Sequence, residues 1–123
     1  MAGFDANRSM VNEDALAAFL ASPITGNITE VPGIGDGAKR LLARSFGNES
    51  SVTTTYQLIG KFLTLRKAGM SQQDHLDAMW HWLKDRNINA FRSGIVLCVA
   101  EKCNLMIPGI YSADAEPMSC TII

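Results

Sequence analysis

Apolar residues recur at helical spacing through the second half of the chain, and this periodicity limits the possible folds more than any other feature. One set follows the i, i+3, i+4, i+7 pattern of a single helix face: Leu76, Met79, Trp80 and Leu83. A second apolar stripe covers residues 91–103. No strand candidate or internal repeat stands out. The sequence therefore predicts an all-α fold, a compact domain of five to six helices.

Capping residues predict where these helices begin. Asn12 precedes two acidic residues and Ser71 precedes Gln72-Gln73-Asp74, so each is expected to cap a helix start. Further helices are predicted over residues 36–46 and 55–67, and the last from about Asn89 to Asn104. Trp80 and Trp82 cannot both face inward on one helix, so one of them is expected at a surface.

The ends of the chain lack this periodicity. Residues 1–11 are predicted to be a disordered N-terminal tail, residues 12–107 the helical domain, and residues 108–123 a flexible C-terminal tail. The first residues show no secretory signal, and no apolar run is long enough for a membrane-spanning helix. Three cysteines without paired or metal-binding spacing agree with a reducing compartment.

Charge is distributed unevenly along the chain. The net charge is −1, but residues 31–104 hold ten Lys/Arg against six Asp/Glu and carry +4. The acidic residues are in excess at both ends. The central segment is therefore mildly basic, which permits phosphate binding without requiring it.

The segment Val31-Pro32-Gly33-Ile34-Gly35 is the sharpest local motif. Glycine tolerates positive φ, so the chain can reverse tightly here before the helix at 36–46. Such a helix-hairpin-helix exposes main-chain N–H groups at a helix start, where the helix dipole favours an anion. The residues expected to supply this phosphate site are Gly33, Gly35, Asp36, Gly37 and Ala38.

Two interpretations of the hairpin remain open: a phosphate site that ignores base sequence, or a tight turn without a ligand. Lys39 and Arg40 are the best candidates for additional phosphate contacts, although each is equally suited to a solvated surface. Asp36 brings a negative charge to the site, unless it caps the helix and points sideways.

Catalytic and metal sites are disfavoured. His75 and His81 do not share a helix face, and no set of groups suited to acid–base or nucleophilic chemistry is visible. Cys98 and Cys103 are expected to be buried as small apolar residues. No cofactor or metal is expected, and an enzyme is the least favoured class.

The C-terminal sequence Cys120-Thr121-Ile122-Ile123 has the form of a prenylation motif. Thr121 fits the motif poorly, and the preceding residues are acidic rather than basic. Prenylation of Cys120 and a terminal cysteine with no such role both remain open, and membrane contact is expected only in the first case.

Taken together, these landmarks resemble the barrier-to-autointegration factor family of small chromatin proteins. The matching stretches span residues 15–104 in the family's order: Phe19-Leu20-Ala21-Ser22-Pro23, Gly33-Ile34-Gly35, Ser45-Phe46, Leu58-Ile59-Gly60-Lys61-Phe62-Leu63-Thr64-Leu65, Trp82-Leu83-Lys84-Asp85 and Asn89-Ala90.

The resemblance implies a SAM-like domain containing a helix-hairpin-helix, and a homodimer that bridges two DNA duplexes regardless of sequence. It implies a nuclear protein of chromatin and the nuclear envelope, also found in the cytoplasm, with LEM-domain proteins, lamin and histones as partners. It adds Asn89, Ala90 and Arg92 to the DNA site. It places Leu58, Gly60 and Phe62 at the dimer interface, although by pattern they fit a core equally well.

This chain also departs from the family pattern. The family's N-terminal phosphate-contacting lysine is replaced by Asp14-Ala15, and Phe91 follows Asn89-Ala90 where the family has a lysine. The alternative function is therefore a protein-interaction module of the same fold, with weak or no DNA binding.

Overall fold

The computed structural model describes residues 3–45, 47, 49 and 51–113. Five α-helices follow in chain order: α1 (Glu13–Ala21), α2 (Asp36–Ala43), α3 (Thr55–Thr64), α4 (Gln72–Asp85) and α5 (Arg92–Met106). Single 3-10 turns, Ala6–Arg8 and Ile28–Glu30, precede α1 and α2. No strand forms in the described part of the chain, and an isolated bridge joins Asn27 to Thr54. The predicted all-α fold is confirmed.

Helix α5 forms the centre of the core. Residues on all of its sides are buried, and it packs against α1, α3, α4 and the first 3-10 turn. Its fully or almost fully buried side chains are Ile95, Val96, Cys98, Val99, Ala100 and Cys103. Because every face of α5 meets protein, its apolar residues do not follow a single amphipathic stripe.

Three of the helices begin with side-chain caps, two of them at the predicted residues Asn12 and Ser71. The Asn12 side chain accepts from the N–H groups of Asp14 and Ala15, and Ser71 accepts from Asp74. Thr54 forms a reciprocal capping box with Gln57. These bonds satisfy main-chain donors that a helix start otherwise leaves free.

The N-terminal segment is folded, so the prediction of a disordered tail is wrong for residues 3–11. Phe4 is buried, its N–H donates to Asp77 at 2.8 Å, and the N–H of Asp5 donates to the Ser93 hydroxyl at 3.1 Å. The segment lies along α4 and the start of α5. Its burial depends on one aromatic side chain and on long-range contacts that sequence periodicity does not reveal.

The C-terminal prediction is also wrong for residues 108–113. Tyr111 is buried, and the main chain of Ser112 exchanges two hydrogen bonds with the Gln72 side chain, each at 2.9 Å. This pairing fixes the segment beside the start of α4. The rest of the predicted tail, including Cys120, lies outside the described residues.

Both tryptophans of α4 are buried, which corrects the expectation that one lies at a surface. Trp80 is covered by Arg92, and Trp82 is covered by Arg86 and donates to Glu49 at 3.2 Å. Arg86 also donates to the carbonyl groups of Leu42 and Arg44 at 3.3 and 3.0 Å. The loop after α2 therefore covers a second face of α4, and Arg86 fixes the carboxyl end of α2.

Candidate nucleic-acid interface

The chain reverses direction through a turn centred on Pro32 and Gly33. The Ile34 N–H donates to the Val31 carbonyl at 3.0 Å, and Gly33 has a φ of 99°. Proline followed by a residue with positive φ is the preferred sequence for this kind of turn. A Cβ at Gly33 would lie only 2.9 Å from Cγ1 of Ile95. Conformation and space therefore both require glycine at this position.

Buried side chains fix the hairpin so that its glycines face solvent. Val31 is 0% exposed and Ile34 is 3% exposed, whereas Gly33 and Gly35 are exposed. At the other end of α2, Leu42 is 0% exposed. The hairpin and α2 are thus anchored from beneath, and the main chain of the turn forms the outer surface.

The start of α2 presents unused main-chain donors. Gly35 is the N-cap residue and supplies no side-chain cap. Within the described residues, no acceptor binds the N–H groups of Gly35, Asp36 or Gly37. A Cβ added at Gly35 or Gly37 would meet no atom within 4 Å. An anion can therefore approach these donors, which the positive end of the helix dipole also favours.

The side chains around this helix start carry mixed charge. Lys39 and Arg40 are exposed on α2, whereas Ala38 is partly buried. Asp36 is exposed and is the first helical residue, because the capping position belongs to Gly35. Its carboxylate stabilises the free helix start but opposes an incoming phosphate.

The start of α5, which forms the second part of the predicted DNA site, differs from the prediction. Helix α5 begins at Arg92, not near Asn89, and its N-cap is Phe91, which supplies no side-chain cap. Ser93 and Gly94 are buried in its first turn. The Ser9 carbonyl occupies the place where a Cβ on Gly94 would be. The N-terminal segment thus covers the main-chain start of α5, and the predicted start of this helix near Asn89 is wrong.

The loop before α5 is nevertheless close to the hairpin. A Cβ on Gly33 would lie 3.4 Å from the Cβ of Phe91. Asn89 and Ala90 are exposed in this loop. The guanidinium of Arg92 lies 4.2 Å from the centre of the Trp80 ring and donates to the Ile88 carbonyl at 2.8 Å. Arg92 therefore holds the loop in place, and only part of its guanidinium remains for a ligand.

A cavity of about 480 Å³ lies where these elements meet. The hairpin, the N-terminal segment and the start of α5 each contribute to its walls, which include Met10, Val11, Gly33, Gly35, Phe91 and Gly94. Sequence reasoning missed the contribution of residues 9–11, because nothing local predicts that this segment crosses α5. The lack of a side chain at Gly94 allows that crossing.

Two of the three residues predicted at a dimer interface belong to the core of the single chain. Leu58 and Phe62 are 0% exposed, so neither offers surface to a second copy. Gly60 is partly exposed, and no atom lies within 4 Å of a Cβ added there. The prediction is therefore wrong for Leu58 and Phe62, and of these three residues Gly60 is the one that lies on an accessible face of α3.

A carboxylate fixes the chain just before the hairpin. Glu30 accepts from the Thr55 hydroxyl at 2.6 Å, from both donors of Thr25 and from the N–H of Gly26. Burial raises the pKa of Glu30, but these hydrogen bonds outweigh that effect and hold its pKa below the usual value. The ionised form therefore joins the hairpin's entry segment to the start of α3.

The buried nucleophilic and titratable side chains lie away from this surface. Cys98 and Cys103 are buried as expected, and burial raises the pKa of each thiol to about 12. His75 is 0% exposed and stacks on Phe62, and burial lowers its pKa. Thiols with so high a pKa are poor nucleophiles at neutral pH.

None of the helices in the described part of the chain combines the length and apolarity needed to cross a bilayer. Comparisons with protein-family models, with curated proteins and with solved structures found no match.

Proposed function

We propose that this chain is a non-enzymatic protein that binds double-stranded DNA through its phosphate backbone, independently of base sequence. The open start of α2 carries this proposal: three main-chain donors that no acceptor among the described residues binds, on an exposed glycine hairpin anchored by Val31 and Ile34. Contacts of this kind hold phosphate oxygens and carry no base information.

The proposal includes the fold subclass and the biological setting that the sequence resemblance suggests. The segment from Ile28 to Ala43 acts as a helix-hairpin-helix whose first helix is a single 3-10 turn. The protein belongs with the barrier-to-autointegration factor type of SAM-like domains and works in chromatin organisation and nuclear envelope assembly. LEM-domain proteins, lamin and histones are its proposed partners.

Bridging of two duplexes requires a second copy of the site, so we also propose a homodimer. Because Leu58 and Phe62 are buried, we place the contact on another face of α3, where the exposed Tyr56 and the partly exposed Gly60 and Leu63 follow helical spacing. A charge at Gly60 should then separate the copies. Light scattering is expected to give the mass of a dimer for the native chain and of a monomer for Gly60→Glu.

The test of DNA binding is the affinity for a blunt duplex measured against salt concentration. We expect a steep loss of affinity as salt rises, because phosphate contacts release counterions. Gly35→Glu should abolish binding, since it places a carboxylate on the donors without meeting any neighbouring atom. Ala43→Glu is the matched control, because it adds the same charge at the exposed far end of the same helix. Equal binding by the two variants would remove the hairpin from the mechanism.

The second candidate is a protein-interaction module of the same fold with weak or no DNA binding. The exposed carboxylate of Asp36 at the helix start and the net charge of −1 favour it. This alternative is correct if the native chain retains a LEM-domain or lamin partner in a pull-down and does not bind the duplex even at low salt.

A further inference from the structure

Two large apolar side chains are exposed beside the hairpin. Met10 is 80% exposed and Phe91 is 53% exposed. Both line the 480 Å³ cavity next to Gly33 and Gly35, and both also line a larger cavity of about 650 Å³ on the opposite side. Other exposed apolar residues are distant along the chain, such as Leu105 at the far end of α5. Met10 and Phe91 therefore form one apolar ridge between the two cavities.

The backbone at both ridge residues is unfavourable for their residue types. Met10 has a φ of 55° and Phe91 a φ of 62°, a region that large side chains rarely adopt. Such a conformation carries a free-energy cost and persists only where the surroundings of the residue enforce it. Here the enforcing contacts are Gly33 against Phe91, and the Ser9 carbonyl against Gly94. The fold thus holds two apolar side chains towards solvent despite a local cost.

The larger cavity beyond the ridge is lined by an aromatic ring and by polar side chains. Arg92 covers the face of Trp80, and the side-chain oxygen Oδ1 of Asn89 accepts from Arg92 at 3.3 Å. No acceptor among the described residues binds the side-chain nitrogen Nδ2 of Asn89, which can therefore donate at the cavity wall. The volume of this larger cavity is within the range typical of small-molecule sites and is sufficient for a nucleoside.

We propose that this surface binds DNA with unpaired bases, such as a single-stranded overhang next to a duplex. The inference rests on the proposed function, since the hairpin donors hold the phosphate while an adjacent base stacks on Phe91 and packs against Met10. Bases of an intact duplex stack on one another and cannot reach an aromatic ring, whereas every unpaired base offers a face to it. The open hairpin donors favour a nucleic acid over an apolar peptide, while the charges on the cavity wall balance, with Arg8 and Arg92 against Asp5 and Asp77.

The experiment compares three fluorescent probes: a blunt duplex, the same duplex with a short oligothymidine overhang, and the overhang strand alone. Phe91→Asn removes the ring and keeps a residue that tolerates positive φ. It should weaken binding of the two probes with unpaired bases by roughly five- to a hundredfold, the range for loss of one stacked base. Binding of the blunt duplex should stay within about twofold. Phe91→Trp should bind all three probes like the native chain.

Leu105→Asn is the matched control, because it removes an equally exposed apolar side chain from the other end of α5. Leu105→Asn should leave the affinity for each of the three probes unchanged. A fluorescent adenine analogue in the overhang gives a direct readout: its emission should be quenched by the native chain and by Leu105→Asn, but not by Phe91→Asn.

The outcomes separate this inference from the function on which it rests. If Gly35→Glu abolishes duplex binding but Phe91→Asn binds every probe like the native chain, base stacking is overturned and the duplex-binding function stands. Base stacking is also overturned, and the duplex-binding function stands, if Phe91→Asn weakens the binding of all three probes equally. If the native chain binds none of the probes at low salt, both proposals are overturned.

Discussion

The starts of α2 and α5 both lack a side-chain cap, but they differ in whether their main-chain donors are open to a ligand. Neither helix start receives a side-chain cap, whereas Asn12, Thr54 and Ser71 cap the other three α-helices. At α2 the uncapped donors face open space, but at α5 the N-terminal segment covers the first turn. An uncapped helix start is therefore available to an anion only where the rest of the fold leaves it exposed.

The largest effect is expected when the turn that exposes the α2 start is disrupted. Gly33→Ala should lower the free energy of unfolding by on the order of 3 kcal/mol, because it combines backbone strain with a contact against Ile95. Gly37→Ala is the matched control, since its Cβ meets no neighbour, and it should raise stability by about 0.5–1 kcal/mol through helix propensity. Denaturant unfolding of both variants measures this difference. Equal shifts would show that the turn does not require glycine at position 33.

A smaller effect is expected when the cover over α5 is removed. Gly94→Ala should displace the Ser9 carbonyl and cost about 2 kcal/mol, the usual size for overpacking. Hydrogen exchange at the N–H groups of Phe4 and Asp5, which are bonded to Asp77 and Ser93, should become faster. Unchanged exchange would mean that the N-terminal segment does not depend on Gly94.

The capped and uncapped starts should also differ in their response to alanine. Asn12→Ala removes a side chain that accepts two main-chain hydrogen bonds and should cost about 1 kcal/mol. Gly35→Ala removes no side-chain hydrogen bond, but glycine is favoured over alanine at an N-cap, so this variant should cost somewhat less, about 0.5 kcal/mol. A large loss for Gly35→Ala would reveal a constraint at the α2 start beyond capping.

The smallest effect concerns the single carboxylate at the α2 start. Asp36→Asn should strengthen duplex binding by roughly threefold, since an exposed charge near a helix end contributes about 0.3–1 kcal/mol. The matched control is Asp74→Asn, because Asp74 is an exposed acid in the first turn of α4. Weaker binding by Asp36→Asn would indicate that this carboxylate organises the site instead of opposing the ligand.

Much of the fold could be predicted because helix periodicity and capping are local properties. Asn12 and Ser71 cap α1 and α4 as their neighbouring residues suggest. Helices α2 and α3 each end three residues earlier than predicted. At α2 the cause is non-local, since Arg86 binds the carbonyl groups of Leu42 and Arg44 at its carboxyl end.

Of the candidate site, the hairpin could be predicted from local sequence, but the start of α5 could not, because it depends on contacts between distant parts of the chain. The turn at Gly33 follows from the Pro32-Gly33 sequence. The covering of the α5 start depends instead on residues 85 or more positions away in the chain: the Asp5 N–H is bonded to Ser93, and Ser9 packs on Gly94. The exposure of Phe91 results from its positive φ, which runs against the preference of its residue type. Such features result from tertiary packing, which overrides local propensity.

The most direct test of the central claim is an NMR titration of the full chain with a short blunt duplex, following each main-chain N–H signal. The largest shifts are predicted at Gly35, Asp36 and Gly37, whose N–H groups have no acceptor among the described residues. Asp14 and Ala15, whose N–H groups are bonded to Asn12, should show almost none. Shifts of equal size at both helix starts, or none at residues 35–37 under conditions where the duplex binds, would contradict the account.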